Sequence, residues 1–183
     1  MKTILVSFST LCALFLFTSC AEAADKSKLD LRTVDQLDLH RYLGKWYEIA
    51  RFDHSFERGL EDCTAEYSLR PDDKIRVVNS GYKIGSSKKK VSEGKAKRPH
   101  PETEPGKLQV SFFLWFYGDY NVLELDQENY SYVLIGGSSD KYLWILSRTP
   151  VLPEDIKESL LEKATQRGYD VSKLIWVNQD RNL

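Results

Sequence analysis

The sequence predicts an all-β fold: an eight-stranded antiparallel up-and-down β-barrel with one C-terminal α-helix packed outside it. Three observations support this prediction. Short segments with alternating side chains recur at regular spacing between residues 44 and 146, and turn residues separate them. A single amphipathic helical stretch follows the last of them. Eight strands are the number that closes a barrel with room for one small ligand.

The first predicted strand follows a turn glycine, Gly44. Its period of two divides the side chains into one face with Trp46, Glu48, Ala50 and Phe52 and another with Tyr47, Ile49 and Arg51. The next seven strands are predicted at 63–69, 74–84, 88–96, 108–113, 120–125, 130–135 and 142–146. Residues 97–106, which contain three prolines, form the longest irregular connection.

The helix is predicted to begin after Pro153, because proline and two acidic residues suit a first turn. Gly168 ends it. Its apolar side chains form one stripe that needs a sheet to pack against: Ile156, Leu160, Leu161 and Ala164. Residues 174–177 are predicted to form a short closing strand.

The N-terminus reads as a targeting segment. One lysine precedes an apolar run from Ile4 to Phe17, which is too short to span a bilayer and is typical of a secretory signal. The ending Phe17-Thr18-Ser19-Cys20 resembles a bacterial lipoprotein box, in which the cysteine carries lipid. We therefore expect a signal peptide at 1–19, a lipidated Cys20 with a polar tether at 20–36, and one domain at 37–183. The alternative is an ordinary signal peptide cut after Ala23 or Ala24.

Composition excludes several functions. Removing residues 1–19 leaves 25 basic and 27 acidic residues, a balance that carries no footprint for nucleic acid. Cys63 would be the only cysteine of the folded domain, so an intramolecular disulfide is not expected. The three histidines have no metal-ligand spacing, and we expect neither a metal nor another cofactor.

No catalytic motif is visible in the sequence. Cys63 is the one candidate nucleophile, but activation requires a neighbouring base or cation, and none is visible beside it. We therefore expect no enzymatic activity and interpret Cys63 as a small buried apolar residue.

Three further features leave alternatives open. The run from Phe112 to Tyr117 either fills core and rim positions, or presents Trp115 and Phe116 at an open rim where they meet acyl chains or a membrane. Lys88-Lys89-Lys90 reads as a solvated hairpin end that could also face anionic lipid. Glu48 falls beside Trp46 on the inner face, so its carboxylate requires a polar partner, either structural or a cationic headgroup.

Three separated blocks resemble the conserved blocks of the lipocalins: Gly44-Lys45-Trp46, Tyr117-Gly118-Asp119-Tyr120 and the late Arg148. The resemblance spans residues 37–179 and is strongest to the bacterial outer-membrane lipocalins and to apolipoprotein D. It implies that Trp46 and Arg148 seal the closed end of the barrel, with the guanidinium stacked on the indole.

The resemblance also implies binding, storage or transport of a fatty acid or lysophospholipid at the outer membrane, where a lipid anchor would hold the chain. The residues expected to bind ligand are Glu48, Ala65, Tyr67, Phe112, Trp115, Tyr120, Tyr132 and Trp144. The alternatives are a lipid-modifying enzyme that uses Cys63 and a structural lipoprotein whose barrel is filled by its own side chains. A homodimer is left open.

Overall fold

One antiparallel sheet closes on itself to form the barrel. The computed structural model describes residues 29–183, so the expected signal peptide, Cys20 and the start of the tether lie outside the described residues. The strands are β1 (Gly44–Arg51), β2 (Leu60–Leu69), β3 (Ile75–Lys83), β4 (Lys89–Lys97), β5 (Lys107–Phe113), β6 (Phe116–Leu125), β7 (Tyr132–Gly136), β8 (Leu143–Ser147) and β9 (Ile175–Trp176).

Strands β1 to β8 pair in sequence order, and β1 pairs with both β8 and β2. In the closing ladder Trp46 stands opposite Ala65. The short β9 adds to the other end of β1, where Ala50 stands opposite Trp176. The predicted eight-stranded barrel and the short closing strand are both confirmed. Strands β2 and β6 begin earlier than expected, at Leu60 and Phe116.

Two α-helices accompany the sheet in the described residues, together with 3₁₀ turns at Val171–Lys173 and Asp180–Asn182. The four-residue helix α1 (Leu39–Tyr42), which the sequence pattern did not predict, begins at Asp38, whose carboxylate accepts hydrogen bonds from two backbone N–H groups. Helix α2 (Glu154–Gln166) starts after Pro153 as predicted. Its apolar stripe packs on the outside of the barrel. Outside, Glu124 of β6 accepts hydrogen bonds from Lys163 and Arg167, which fixes the helix to the sheet.

Apolar side chains divide into two clusters on the two sides of the sheet. The inner cluster fills the part of the barrel interior next to α1 and includes Trp46, Ala65, Tyr67, Val77, Ala96, Leu108, Val122, Ile135 and Leu146. The outer cluster lies between the sheet and α2 and includes Ile49, Ala50, Phe52, Leu123, Leu134, Ile145, Leu160 and Ala164. Strands β7 and β8 are therefore buried on both faces.

The predicted faces of β1 are wrong beyond Glu48. A register shift in the pairing with β8 lies between Glu48 and Ala50 and breaks the alternation. Ala50 and Phe52 consequently pack in the outer cluster. Arg51 turns inward, where its guanidinium meets Glu48. A period-two pattern cannot reveal such a bulge, because each residue beyond it exchanges faces.

The two ends of the barrel differ. The closed end carries α1, Arg148 and the connections 70–74, 98–106 and 126–131. The open rim carries the connections 52–59, 84–88, 114–115 and 137–142. Within residues 29–183, neither helix has the length and apolar character needed to cross a membrane.

Candidate ligand-binding site

Arg148 and Trp46 seal the closed end. The guanidinium carbon of Arg148 lies 3.8 Å from the centre of the Trp46 ring, as expected from the sequence. The same guanidinium donates hydrogen bonds to four backbone carbonyls, those of Arg41, Tyr42, Lys45 and Tyr130. It therefore ties α1, β1 and the turn before β7 together beneath the barrel.

The buried Tyr42 and Tyr67 and the partly buried Tyr120 form the floor above this seal. The hydroxyl of Tyr120 lies 2.6 Å from that of Tyr42 and 3.0 Å from that of Tyr67, and each pair shares a hydrogen bond. Burial raises the pKa of all three hydroxyls. Three protonated hydroxyls that share two hydrogen bonds retain one donor, so the floor offers a proton to a further acceptor.

A charged group lies higher in the barrel. Arg51 Nη1 donates to Glu48 Oε1 at 2.5 Å, and Nη2 donates to the carbonyls of Glu57 and Leu60. Burial, and then the charge of Glu57, raises the pKa of Glu48, against the opposing effect of Arg51. Burial likewise raises the pKa of Glu57. One guanidinium thus binds the Glu48 carboxyl and two backbone carbonyls inside the barrel.

Aromatic rings surround this group on the side of the open rim. The indole N–H of Trp144 donates to Glu57 Oε2 at 3.1 Å. The His54 ring stacks on Phe56 at 4.0 Å and lies 5.0 Å from the Trp144 ring. Burial, and then the charge of Arg51, lowers the pKa of His54 to about 4. His54 is therefore neutral at neutral pH, and its 3.2 Å contact with Glu57 is not an ion pair.

Cys63 lies beside the charged group and not at an activated position. Its Sγ is 3.8 Å from Arg51 Nη1. Burial and the neighbouring Glu48 nevertheless raise the pKa of the thiol, so the thiolate needed for nucleophilic attack is disfavoured. The geometry supports the interpretation of Cys63 as a small buried residue.

Small side chains line the inner wall above the floor. Their cross-strand partners either belong to the inner cluster, pack against it, or are themselves small. The pairs are Asn79 with Ala65, Ser92 with Asn79, Gly94 with Val77, Ala96 with Ile75 and Gly118 with Val110. A Cβ atom built on Gly118 would meet nothing within 4 Å. Gly118 is exposed and lies on the same face of β6 as Tyr120, so the space beside it is open.

The structure places the expected ligand-binding residues in four locations. Glu48, Ala65, Tyr67, Tyr120 and Trp144 lie in the barrel interior. Phe112 lies near the rim with its ring over Gly94. Trp115 is exposed at the tip of the β5–β6 hairpin and does not line the wall.

The expectation for Tyr132 is wrong, because its side chain packs against the outer cluster near α2. All four residues from Tyr132 to Ile135 are apolar, so the sequence offered no alternation from which to choose a face.

Sequence reasoning missed Tyr42, Arg51, His54 and Glu57. Tyr42 belongs to a helix too short to produce a periodic pattern, and Arg51 was assigned to the wrong face. His54 and Glu57 belong to an irregular connection, which has no periodicity to read. Among residues 29–183, no group of three or more His, Cys, Asp or Glu side chains is placed to hold a metal ion.

Comparison with known proteins agrees with this architecture. A family model described as a lipocalin-like domain matches residues 37–179. Outer membrane lipoprotein Blc of Escherichia coli is 48% identical over 167 residues, which cover 91% of this chain and 92% of that protein. Apolipoprotein D of Bos taurus is 36% identical over 153 residues, 79% of this chain and 78% of that protein.

The fold also matches solved structures. Insecticyanin from the tobacco hornworm Manduca sexta aligns with a TM-score of 0.66 at 26% identity, over 82% of this chain and 85% of that one. The family model matches most of the barrel. The relatives named above are more than one third identical to this chain over most of their length. The chain belongs to the lipocalins, a family of binding proteins.

Proposed function

We propose that this chain is a lipid-anchored lipocalin of the bacterial outer membrane that binds one fatty acid or lysophospholipid inside its barrel and stores or transports it. The observation that carries the proposal is the open interior above Tyr120, where the small inner wall leaves space next to Gly118.

The lining of this space suits an acyl chain. Inner-cluster side chains from all eight barrel strands surround the lower part, among them Val77, Leu108, Val122 and Ile135. Transfer of apolar surface from water into such a lining contributes about 25 cal/mol per Å², or about 0.8 kcal/mol for each buried methylene. The affinity for an acyl chain therefore increases with the length of the chain that is buried, and few directional contacts are needed.

The polar groups inside the barrel suit the headgroup. Nε of Arg51 and Oδ1 of Asn79 are both buried and have no hydrogen-bond partner among the described residues. A buried donor or acceptor without a partner costs about 1–3 kcal/mol, so a ligand that satisfies both gains binding energy. A carboxylate or phosphate would accept from Arg51, and a hydroxyl or ammonium would donate to Asn79.

The relatives and the expected lipoprotein box support the proposed location. Proteins named outer membrane lipoprotein align with 91% of this chain, including part of the segment before the barrel. Cys20 would carry the lipid, and stable membrane attachment requires more than one acyl chain. The triacylated cysteine implied by the lipoprotein box meets that requirement.

A substitution that fills the interior tests the binding proposal. Gly118 does not have a positive φ, so Gly118→Trp places an indole in the open space without backbone strain. The neighbouring Asp119→Trp adds the same side chain to the opposite face of β6 and serves as the control. The assay is displacement of a fluorescent fatty acid, with thermal unfolding to show that both variants fold.

We expect Gly118→Trp to lower the affinity for the fatty acid at least about tenfold, because the indole occupies space that several methylenes of the ligand would otherwise fill. Asp119→Trp should bind like the unsubstituted protein. Equal affinity in the two variants would contradict binding inside the barrel.

A further inference from the structure

Five consecutive apolar side chains are exposed at the open rim. Residues 112–116, here called the aromatic tip, join β5 to β6 and comprise Phe112, Phe113, Leu114, Trp115 and Phe116. Phe113 and Trp115 are the most exposed, at 68% and 72%. A contiguous exposed apolar patch is unusual on a soluble surface and marks a site of interaction.

Backbone pairing fixes the shape of the aromatic tip. Phe113 pairs with Phe116, so the hairpin is closed by a two-residue turn in which Leu114 has a φ of 51°. Ser111 Oγ is within hydrogen-bonding distance of the carbonyls of Phe113 and Leu114. The rings of Trp115 and Phe116 stack on each other, with 6.1 Å between centroids. The tip is thus a defined hairpin, and a positive φ at a leucine is a strain that the fold maintains.

The adjacent hairpin of the rim is basic. Between β3 and β4, residues 83–92 contain four exposed lysines and no acidic residue: Lys83, Lys88, Lys89 and Lys90. Ile84 and Val91 of the same hairpin are also exposed. Aromatic side chains with lysines beside them match the interface of an anionic bilayer, where each lysine near the surface contributes favourably.

The start of the described chain lies on the outside of the barrel. Residues 29–33 share a surface groove with Glu104, Lys107, Asp119 and Asn121, which belong to the closed end and to the middle of β6. The eight residues between Cys20 and Leu29 extend at most about 30 Å, so the expected anchor alone does not fix which face of the barrel meets a bilayer.

We propose that the open rim is a membrane-docking surface: the aromatic tip inserts into the interfacial region of a phospholipid bilayer while the lysines of residues 83–90 contact anionic headgroups. The barrel opening then faces the bilayer. A lipid passes between bilayer and barrel without crossing bulk water. This surface acts in addition to the lipid anchor and does not depend on it.

Vesicle binding tests the proposal on a chain that begins at Asp25, which retains every strand and helix described here. Without the anchor, binding reports the rim alone. The probes are vesicles of phosphatidylcholine and vesicles that also contain phosphatidylglycerol, sedimented with the protein. Phe113→Ser combined with Trp115→Ser removes the two most exposed rings of the tip. The control is Val151→Ser with Leu69→Ser, two apolar residues outside the rim that are 61% and 46% exposed.

We expect binding to the anionic vesicles that exceeds binding to phosphatidylcholine vesicles and falls as salt is added. The tip variant should lower the vesicle partition coefficient at least about tenfold, because two rings no longer leave water. The control should leave it unchanged. Brominated lipids should quench tryptophan fluorescence in the control and much less in the tip variant.

Two outcomes would overturn the proposal. One is equal partitioning of the tip variant and the control. The other is self-association of the unsubstituted chain through the tip, measured by sedimentation velocity, without binding to vesicles. The apolar patch would then be an interface between two copies of the chain. Fatty-acid binding, measured on the same samples, should be unaffected in the tip variant. Its loss in every sample would refute the proposed carrier function and leave the docking result standing.

Discussion

Removing Arg148 should destabilise the protein more than it weakens ligand binding. In Arg148→Ala the cation–π contact with Trp46 is lost, which costs about 1 kcal/mol for a half-buried pair. Four backbone carbonyls also lose their charged donor. Water reaches these carbonyls at the closed end, so we assign about 0.5 kcal/mol to each instead of the full value for a buried group.

The total is about 3 kcal/mol in the free energy of unfolding, which corresponds to a fall of roughly 10 °C in Tm for a domain of this size. Arg148→Lys keeps a positive charge near Trp46 but loses the forked donor, so we expect about half the loss. Urea unfolding, monitored by circular dichroism, measures the change. A matched control is Arg76→Ala, since Arg76 forms a half-exposed ion pair with Glu93 that is worth about 0–1 kcal/mol.

The affinity for a fatty acid should change less than threefold in Arg148→Ala, because the tyrosine floor separates the guanidinium from the open interior. Unchanged stability of Arg148→Ala, or lost binding at unchanged stability, would refute the assignment of Arg148 to the structural seal.

Three further predictions concern the polar groups. His54 has its pKa lowered from 6.5 to about 4, so its stabilisation of the fold is complete above pH 6.5 and is lost as the pH falls towards 4. Between pH 6.5 and 4 the parent should therefore lose about 1–3 kcal/mol more of its free energy of unfolding than His54→Gln does. Parallel pH profiles of the two proteins would disprove this prediction. Glu48→Ala leaves the Arg51 charge buried and should cost about 3–5 kcal/mol in chemical denaturation, whereas a loss below 1 kcal/mol would show that the pair is not buried as described. Tyr169→Phe should preserve or raise Tm, because the Tyr169 hydroxyl is buried without a partner among the described residues; a clear fall in Tm would reveal a hydrogen bond that these contacts lack.

Local sequence patterns predicted the strands and α2 well because each depends on a short-range period. Strands β2 and β3 alternate between a buried and a solvated face, and the helix has a single apolar stripe. The contact of Trp46 with Arg148 was also predictable, since it joins the start of one strand to the end of another in a closed sheet.

The site was only partly predictable because long-range features decide it. The register shift after Glu48 reversed the faces of Ala50 and Arg51. The all-apolar strand β7 concealed the outward direction of Tyr132. The tyrosine floor joins Tyr42, Tyr67 and Tyr120 from three distant segments, and no local pattern relates them.

The central claim is that the barrel holds one lipid molecule, and native mass spectrometry tests it most directly. The chain from Asp25 onward would be stripped of lipid and then exposed to palmitate and, separately, to a lysophospholipid. We predict a one-to-one adduct with at least one of them, which persists in Cys63→Ser because the thiol takes no part in binding. A barrel that forms no adduct with either lipid would contradict the account.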